Sequence, residues 1–304
     1  MEQRTLTCPN CGREIQVPAE LEEFSCVYCG AKHSLSALTA PSQADEADRR
    51  YAEAHLLDCI RDYPEYFRKF GRKTYAESFE TYRTGMQETF LAMDRYICAQ
   101  PMRRQALLEA FTEQFLADWE SFHRQDRRWN RKTSREQMLF ESKLTLAWYA
   151  VPAIRSLGSS TGRDFTDLLQ KKFAEKYPLN LFQCAEYEDI ANGFQKHKLC
   201  FITTAVCEFE GKPDDCAELT AFRAFRDGWL AKTEEGRALT EEYYELAPVI
   251  VSAIDYCDDR AARYTELRRD WLRPCYEALR SGDNETCRRT YVNMVHTLRR
   301  RYGL

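Results

Sequence analysis

The stretch that decides the fold is TYAESFETYRTGMQETFLAMDRYICA, residues 74–99. Its large apolar side chains recur at intervals of three and four, and they are Tyr75, Phe79, Tyr82, Met86, Phe90 and Met93. This spacing places all of them on one face of an α-helix, with charged and small polar residues on the opposite face. The stretch therefore predicts a long amphipathic helix, from about Thr74 to Ala99, that buries an aromatic face in a core.

The same spacing continues on both sides of this helix. Further helices are predicted at residues 45–62, 101–122, 138–157, 164–177, 186–192, 258–280 and 283–301. Pro64 is expected to end the first of them and Pro152 to bend or interrupt the 138–157 helix, because proline has no N–H to donate. Ser134 to Gln137 has the capping-box form and is expected to begin that helix. Long alternations of apolar and polar residues are absent from residues 45–198, so this body is predicted to be all-α.

Two cysteine pairs lie near the start of the chain, CPNC at residues 8–11 and CVYC at residues 26–29. Together they supply the four thiolates that Zn²⁺ takes in a closed, tetrahedral structural site. A module of about 40 residues buries too little apolar surface to fold alone, and binding zinc contributes about 10–16 kcal/mol to folding. We therefore predict a small β zinc ribbon over residues 1–38, with His33 outside the metal shell. The predicted ligands of its single zinc are Cys8, Cys11, Cys26 and Cys29.

Beyond the ribbon, residues 39–44 have the composition of a linker, and two helical regions are predicted at 45–198 and 199–304. The second region contains several separated blocks in a fixed order. They are CFITTA at 200–205, LTAFRAFRD at 219–227, GR at 236–237 and YYELAP at 243–248.

These blocks resemble the CFI-box domain, an uncharacterised bacterial family, over about residues 199–256. Thr203 stands where the family usually has alanine, and CEFEG at residues 207–211 replaces its usual small-Tyr-Gly turn. The resemblance implies a recognisable helical module, followed in this chain by basic helices, and it implies no established activity.

Cys200 opens the first block, and His197 lies three residues before it. A cysteine nucleophile needs a nearby base or cation that stabilises its thiolate, and His197 would supply one. This pair is the candidate centre of a cysteine-dependent enzyme. The alternative is that Cys200 packs in the core as a small apolar side chain, because residues 199–206 are almost all apolar. We favour packing, and we predict a buried, unreactive thiol.

A charged cluster follows in the later blocks, and its members are Arg223, Arg226, Asp227 and Arg237. Arginine forks at this density would bind an anion or a peptide carboxylate. The alternative, which we favour, is an ion-pair network that fixes helix packing. In that interpretation Arg223 pairs with Asp227 one helical turn later, and Arg226 reaches another helix.

The overall charge gives no general attraction to polyanions, because 44 Lys and Arg stand against 48 Asp and Glu. Two regions are nevertheless basic: a run from Arg124 to Arg135 that contains Trp129, and residues 260–304 with eleven arginines against five acidic residues. Basic residues interleaved with aromatics bind single-stranded nucleic acid, so a nucleic-acid-associated zinc-ribbon factor is an alternative function. The ribbon itself carries more acidic than basic residues, which disfavours that use.

No run approaches the roughly 20 apolar residues that cross a bilayer, and the first residues lack a signal-peptide pattern. We therefore expect a cytoplasmic protein without membrane contact. Of thirteen cysteines, the nine outside the predicted zinc site are expected to be free thiols.

The function we predict is non-catalytic: a zinc-binding protein that binds or scaffolds a protein partner through its ribbon. Ile15, Phe24 and Tyr28 are expected at the ribbon surface as contact anchors.

Overall fold

The computed structural model describes residues 3–8, 10–11, 13–18, 21, 23–34, 43–177, 182–196, 201–257 and 259–304. Helices dominate these residues, and strands occur in them only between residues 3 and 34. The prediction of a mainly α protein with a small N-terminal β ribbon is therefore confirmed. Most of the predicted linker at 39–44 lies outside the described residues, so the boundaries of the ribbon stay predictions.

Four short strands form two antiparallel hairpins at the N-terminal end of the chain. Strand β1 (Gln3–Thr7) pairs with β2 (Glu14–Pro18), and β3 (Glu23–Ser25) pairs with β4 (Lys32–Ser34). Successive side chains of a strand point to opposite faces, so alternate residues of β2 and β3 are buried. The resulting small core, separate from that of the helices, consists of Cys8, Ile15, Val17, Phe24 and Cys26.

The first half of the helical body consists of helices α1 to α9. Their bounds are α1 Gln43–His55, α2 Asp58–Arg61, α3 Tyr63–Lys69, α4 Tyr75–Cys98, α5 Arg104–Arg124, α6 Lys132–Thr145, α7 Val151–Arg155, α8 Ser160–Lys176 and α9 Tyr187–Lys196. The long helix predicted at residues 74–99 is α4, and every residue of its predicted apolar face is buried. The prediction for this stretch is confirmed.

Three predicted helix boundaries are wrong. Pro64 lies in the first turn of α3 and does not end a helix, because a missing N–H costs nothing at that position. Helix α6 begins at Lys132, and the N–H of Arg135 already donates to the carbonyl of Arg131, so Ser134 lies inside the helix. Helix α9 continues past Gly193.

Two prolines within long helical stretches follow wider turns, whereas Pro248 lies inside the α-helix Glu234–Asp255 without one. Residues Leu146–Ala150, between α6 and α7, and residues Arg268–Leu272 have π-helical geometry. In both cases a proline follows two residues after the π-helical turn, Pro152 in the first and Pro274 in the second. A proline inside an α-helix clashes with the carbonyl four residues earlier and leaves that carbonyl without a donor. The wider turn relieves that crowding.

Pro152 was predicted to bend or interrupt its helix, and a π-helical turn separates α6 from α7 just before it. In an α-helix the carbonyl of Trp148 would accept from the N–H of residue 152, which proline does not have. The hydroxyl of Tyr75, on α4, donates a hydrogen bond to this carbonyl at 2.7 Å. A side chain from a distant part of the sequence thus replaces the missing backbone N–H.

The second half of the body consists of helices α10 to α15. Their bounds are α10 Phe201–Phe209, α11 Ala217–Gly228, α12 Glu234–Asp255, α13 Arg260–Leu267, α14 Arg273–Arg280 and α15 Asn284–Tyr302. The Asp283 side chain accepts a hydrogen bond from the N–H of Thr286 and caps α15. In the part of the chain that the structure describes, no helix is both long enough and apolar enough to cross a bilayer.

Buried side chains from before and after residue 199 belong to one continuous core. The rings of Phe140 and Tyr302 stack across it with centroids 5.6 Å apart. At its surface Lys73 forms a salt bridge of 2.6 Å with Glu245. The two helical regions therefore share packing, and a domain boundary at residue 199 stays a prediction.

Candidate metal centre and the block after residue 200

The turns of the ribbon bring its cysteine pairs into position. The N–H of Cys8 donates to the carbonyl of Arg13 at 2.9 Å, and the N–H of Cys26 donates to the carbonyl of Ala31 at 2.8 Å. Gly30 follows the second pair with φ of +73°, a conformation that costs glycine little. Each cysteine pair therefore lies in a tight turn that closes a hairpin.

The four cysteine sulfurs form one group in which all atoms lie within 4.8 Å of one another. The Sγ atoms of Cys8 and Cys29 are 3.7 Å apart, and those of Cys11 and Cys26 are 3.8 Å apart. Cys8 and Cys26 are buried, whereas Cys11 and Cys29 are exposed. This group could hold a metal ion at the surface of the ribbon, and it contains the four cysteines that the sequence predicts as ligands.

Polar groups around the sulfurs favour a thiolate at one of them. The Asn10 side-chain amide donates to Cys29 Sγ at 3.5 Å, and with the backbone of Ala31 it lowers the pKa of Cys29 to about 6. The backbone of Arg13 lowers the pKa of Cys11, but desolvation and the neighbouring thiols raise it to about 11.

His33 lies beside the four-sulfur group without belonging to it. Its Nε2 is 3.3 Å from Cys8 Sγ, and its ring contacts Phe24 with centroids 5.6 Å apart. An imidazole in that place orients a ligand sulfur by a hydrogen bond. The roles of Asn10 and His33 were missed from the sequence, although Asn10 lies between two predicted ligands.

The ribbon surface differs in part from the prediction. Tyr28 is 55 % exposed, as expected, and the Arg13 guanidinium lies over its ring at 5.1 Å from the centroid. Ile15 and Phe24 were also expected at the surface, but they are 4 % and 9 % exposed. The alternation of β2 and β3 turns both inward. Val27 is the most exposed large apolar residue in the described residues, at 82 %.

Cys200 and His197, the candidate catalytic pair, lie outside the described residues. The structure does describe the helix that follows them. Residues 201–207 of α10 are all buried, so this helix is surrounded by protein. The N–H of Ile202 donates to the Tyr243 hydroxyl at 2.9 Å, and that hydroxyl also accepts from Tyr291 at 3.1 Å. The start of the block is thus fixed by tyrosines from α12 and α15.

The side chains of the charged cluster have partners within the protein. Asp227 pairs with its neighbour Arg226 at 2.6 Å, and this bond lowers the pKa of Asp227. Arg223 contacts the Asp214 carboxylate at 2.5 Å, and its charge also contributes to the lowered pKa of Asp227. Helical side chains lean toward the helix N-terminus, so Arg223 reaches the loop before α11. Arg237 donates to the carbonyl of Ala231 at 2.9 Å.

Arg226 also lines an apolar cavity of about 70 Å³ between α11, α12 and α15. Phe222, Leu239 and Val295 form part of its wall. The side chain of Arg226 is 8 % exposed and forks onto Asp227 through two hydrogen bonds. These contacts agree with the packing interpretation of the cluster.

The two basic regions are neutralised to different degrees. In the first, Arg124 pairs with Glu120 and Arg128 with Asp126. Trp129 is half-buried, and the guanidinium groups of Arg124 and Arg135 both lie over its ring. In residues 260–304, eight of the eleven arginines form salt bridges. Pairing of this extent reduces the free positive charge available for phosphate binding mainly in the second region.

No protein-family model, curated protein or solved structure matches this chain. The resemblance of residues 199–256 to the CFI-box domain therefore rests on the residues that carry it, and it stays a prediction.

Proposed function

We propose that this protein is a non-catalytic adaptor in which an N-terminal zinc ribbon binds a protein partner and the helical body acts as the scaffold. The observation that carries the proposal is the position of two exposed apolar residues, Val27 and Tyr28, between two cysteines of the four-sulfur group. Both lie between Cys26 and Cys29, so metal binding would fix the backbone of the contact surface itself.

Zinc is the metal that the donor set favours. In a tetrahedral site with Zn–S bonds of about 2.3 Å, neighbouring sulfurs are about 3.8 Å apart. Two of the sulfur pairs are 3.7 and 3.8 Å apart. Soft thiolate ligands disfavour magnesium and calcium, which prefer oxygen. Four protein sulfurs leave no open coordination position, so zinc would have a structural role here.

The tip of the ribbon has the character of a contact surface. Among the described residues, the exposed large apolar side chains are Leu21, Val27, Tyr28, Tyr51 and Phe209, and three of these belong to the ribbon. Aromatic side chains held on a rigid backbone lose little entropy on binding and often dominate the energy of protein interfaces. The acidic excess of the ribbon supports a protein partner over a nucleic acid.

The test is affinity capture with the full-length, zinc-loaded chain, followed by quantitative mass spectrometry. We expect the double variant Val27→Ser, Tyr28→Ser to capture at least tenfold less of the partner than the wild type does, while it keeps one zinc per chain. Tyr51→Ser is the matched control, because Tyr51 is an exposed aromatic residue of the helical body. Equal partner recovery by the double variant and the wild type would contradict the proposal.

A further inference from the structure

Outside the ribbon, two cysteine sulfurs lie close together across a short loop. Cys207 lies in the last turn of α10, and Cys216 immediately precedes α11. Their Sγ atoms are 3.9 Å apart, and residues 210–215 form the loop between α10 and Cys216. Cys207 is 2 % exposed, whereas Cys216 is half-buried. Cys216 is therefore the more exposed residue of the pair, and its nearest neighbouring thiol is shielded from solvent.

We propose that Cys207 and Cys216 are a redox-active dithiol that a peroxide converts into an intrachain disulfide. The Cys216 thiolate attacks one peroxide oxygen, which breaks the O–O bond, forms a sulfenic acid and releases one water after protonation. The Cys207 sulfur then attacks the Cys216 sulfur, forms the S–S bond and displaces hydroxide, which leaves as water with the Cys207 proton. One hydrogen peroxide is reduced to two waters, and two thiols are oxidised.

The order of these steps follows from burial. Burial raises the pKa of the Cys207 thiol to about 12, so Cys207 is a poor first nucleophile for peroxide in solution. Cys216 is the more exposed of the two, so we expect it to react first with the peroxide. Once Cys216 is a sulfenic acid, Cys207 is the nearest thiol and needs no diffusion to reach it.

The loop can close the remaining distance. A disulfide requires an S–S separation of about 2 Å, so the two sulfurs must approach by about 2 Å. Cys216 ends an irregular loop that contains Gly211, whose φ is +70°. The N–H of Lys212 donates to the carbonyl of Cys207 at 2.9 Å, which already folds the loop back toward α10. A small movement of Cys216 alone would complete the bond.

The disulfide would act on a set of ion pairs that tie this loop to the rest of the body. Lys212 contacts Glu210 at 2.7 Å and Glu218 at 2.6 Å. Arg268, in the second π-helical turn, also pairs with Glu218 and lies 3.3 Å from Glu210. In the reduced protein these ion pairs already hold the loop against α11 and Arg268. The disulfide would hold it in the same position by a covalent bond.

The experiment uses the full-length, zinc-loaded chain treated with a few equivalents of hydrogen peroxide and then with N-ethylmaleimide. Proteolysis at Glu208 and Glu210 separates the two cysteines unless a disulfide joins them. We expect a linked pair of peptides, two hydrogens lighter than the sum of the free ones, as the main oxidation product of the helical body. Dithiothreitol should abolish it.

Single variants distinguish the roles of the two sulfurs. In Cys207→Ser, Cys216 should accumulate as a sulfenic acid that dimedone traps, whereas Cys216→Ser should give no trapped product at Cys207. Circular dichroism shows whether each variant is folded, and zinc content shows whether the ribbon is intact. Cys275 and Cys287 are an internal control, because both are fully buried. Peroxide should leave them as thiols, and N-ethylmaleimide should alkylate them only after the protein is unfolded. Failure of the linked peptides to form in folded wild type, or trapping at Cys207 instead of Cys216, would overturn the proposal.

Discussion

The ribbon core consists of five buried side chains, two of them cysteines, whereas the helical body surrounds the fully buried Trp119 and Trp148 with a continuous apolar core. Burial of apolar surface contributes in proportion to area, so the body can fold by packing alone. The ribbon cannot, because its core is too small to offset the entropy of ordering its chain. We therefore propose that this chain combines a metal-dependent fold with a packing-dependent fold, and we expect each of them to unfold separately.

The largest expected effect is the loss of one metal ligand. Cys26→Ser should remove zinc and unfold the ribbon, because metal binding contributes about 10–16 kcal/mol that the small core cannot replace. The helical body should stay folded. Hydrogen exchange would show fast exchange in residues 3–34 and unchanged protection in α4. Cys98→Ser, at an exposed thiol of α4, is the control and should keep one zinc per chain. Cooperative unfolding of both parts by Cys26→Ser would show that the ribbon and the helical body do not fold independently.

The reverse experiment removes packing from the body. Trp148 is fully buried and stacks on Phe70 with ring centroids 3.7 Å apart. Trp148→Ala should lower the free energy of unfolding of the body by about 3–5 kcal/mol in a urea titration. Zinc content should stay at one per chain. Trp229→Ala, at a partly buried tryptophan, should cost less. Loss of zinc from the Trp148 variant would show that the two folds are coupled.

A smaller effect tests the proline in α7. Tyr75→Phe keeps the ring but removes the donor to the Trp148 carbonyl, which leaves a buried carbonyl without its partner. We expect a loss of about 1–3 kcal/mol in the free energy of unfolding. Tyr51→Phe, at an exposed tyrosine, should change stability by less than about 0.5 kcal/mol. Equal stability of the two variants would show that another group satisfies this carbonyl.

The smallest expected effect is at Cys200. Because residues 201–207 of α10 are all buried, we predict that Cys200 reacts with iodoacetamide only slowly in the native protein. Peptide mass spectrometry after timed labelling measures this rate against the exposed Cys98. Rapid labelling of Cys200 that disappears in His197→Ala would favour the cysteine-dependent enzyme instead.

Local patterns were sufficient to predict the parts of this molecule that depend on local interactions. The spacing of aromatic residues predicted α4, and the spacing of the cysteines predicted the four-sulfur group. Phe24 was misplaced because the ribbon's exposed anchors were chosen by residue type and not by strand alternation. The course of the helix at Pro152 could not be predicted, because it depends on Tyr75, a residue more than seventy positions away.

The π-helical turns also bear on how this chain tolerates changes in length. Each residue of an α-helix advances the helix by about 100°, so inserting or deleting one residue turns every later side chain onto a different face. A π-helical turn takes up one additional residue without changing the faces on either side. Leu146–Ala150 is such a place in the centre of the core. Deleting one residue there should convert the turn to an ordinary α-helical one, whereas the same deletion in the middle of α4 would expose half of its aromatic face.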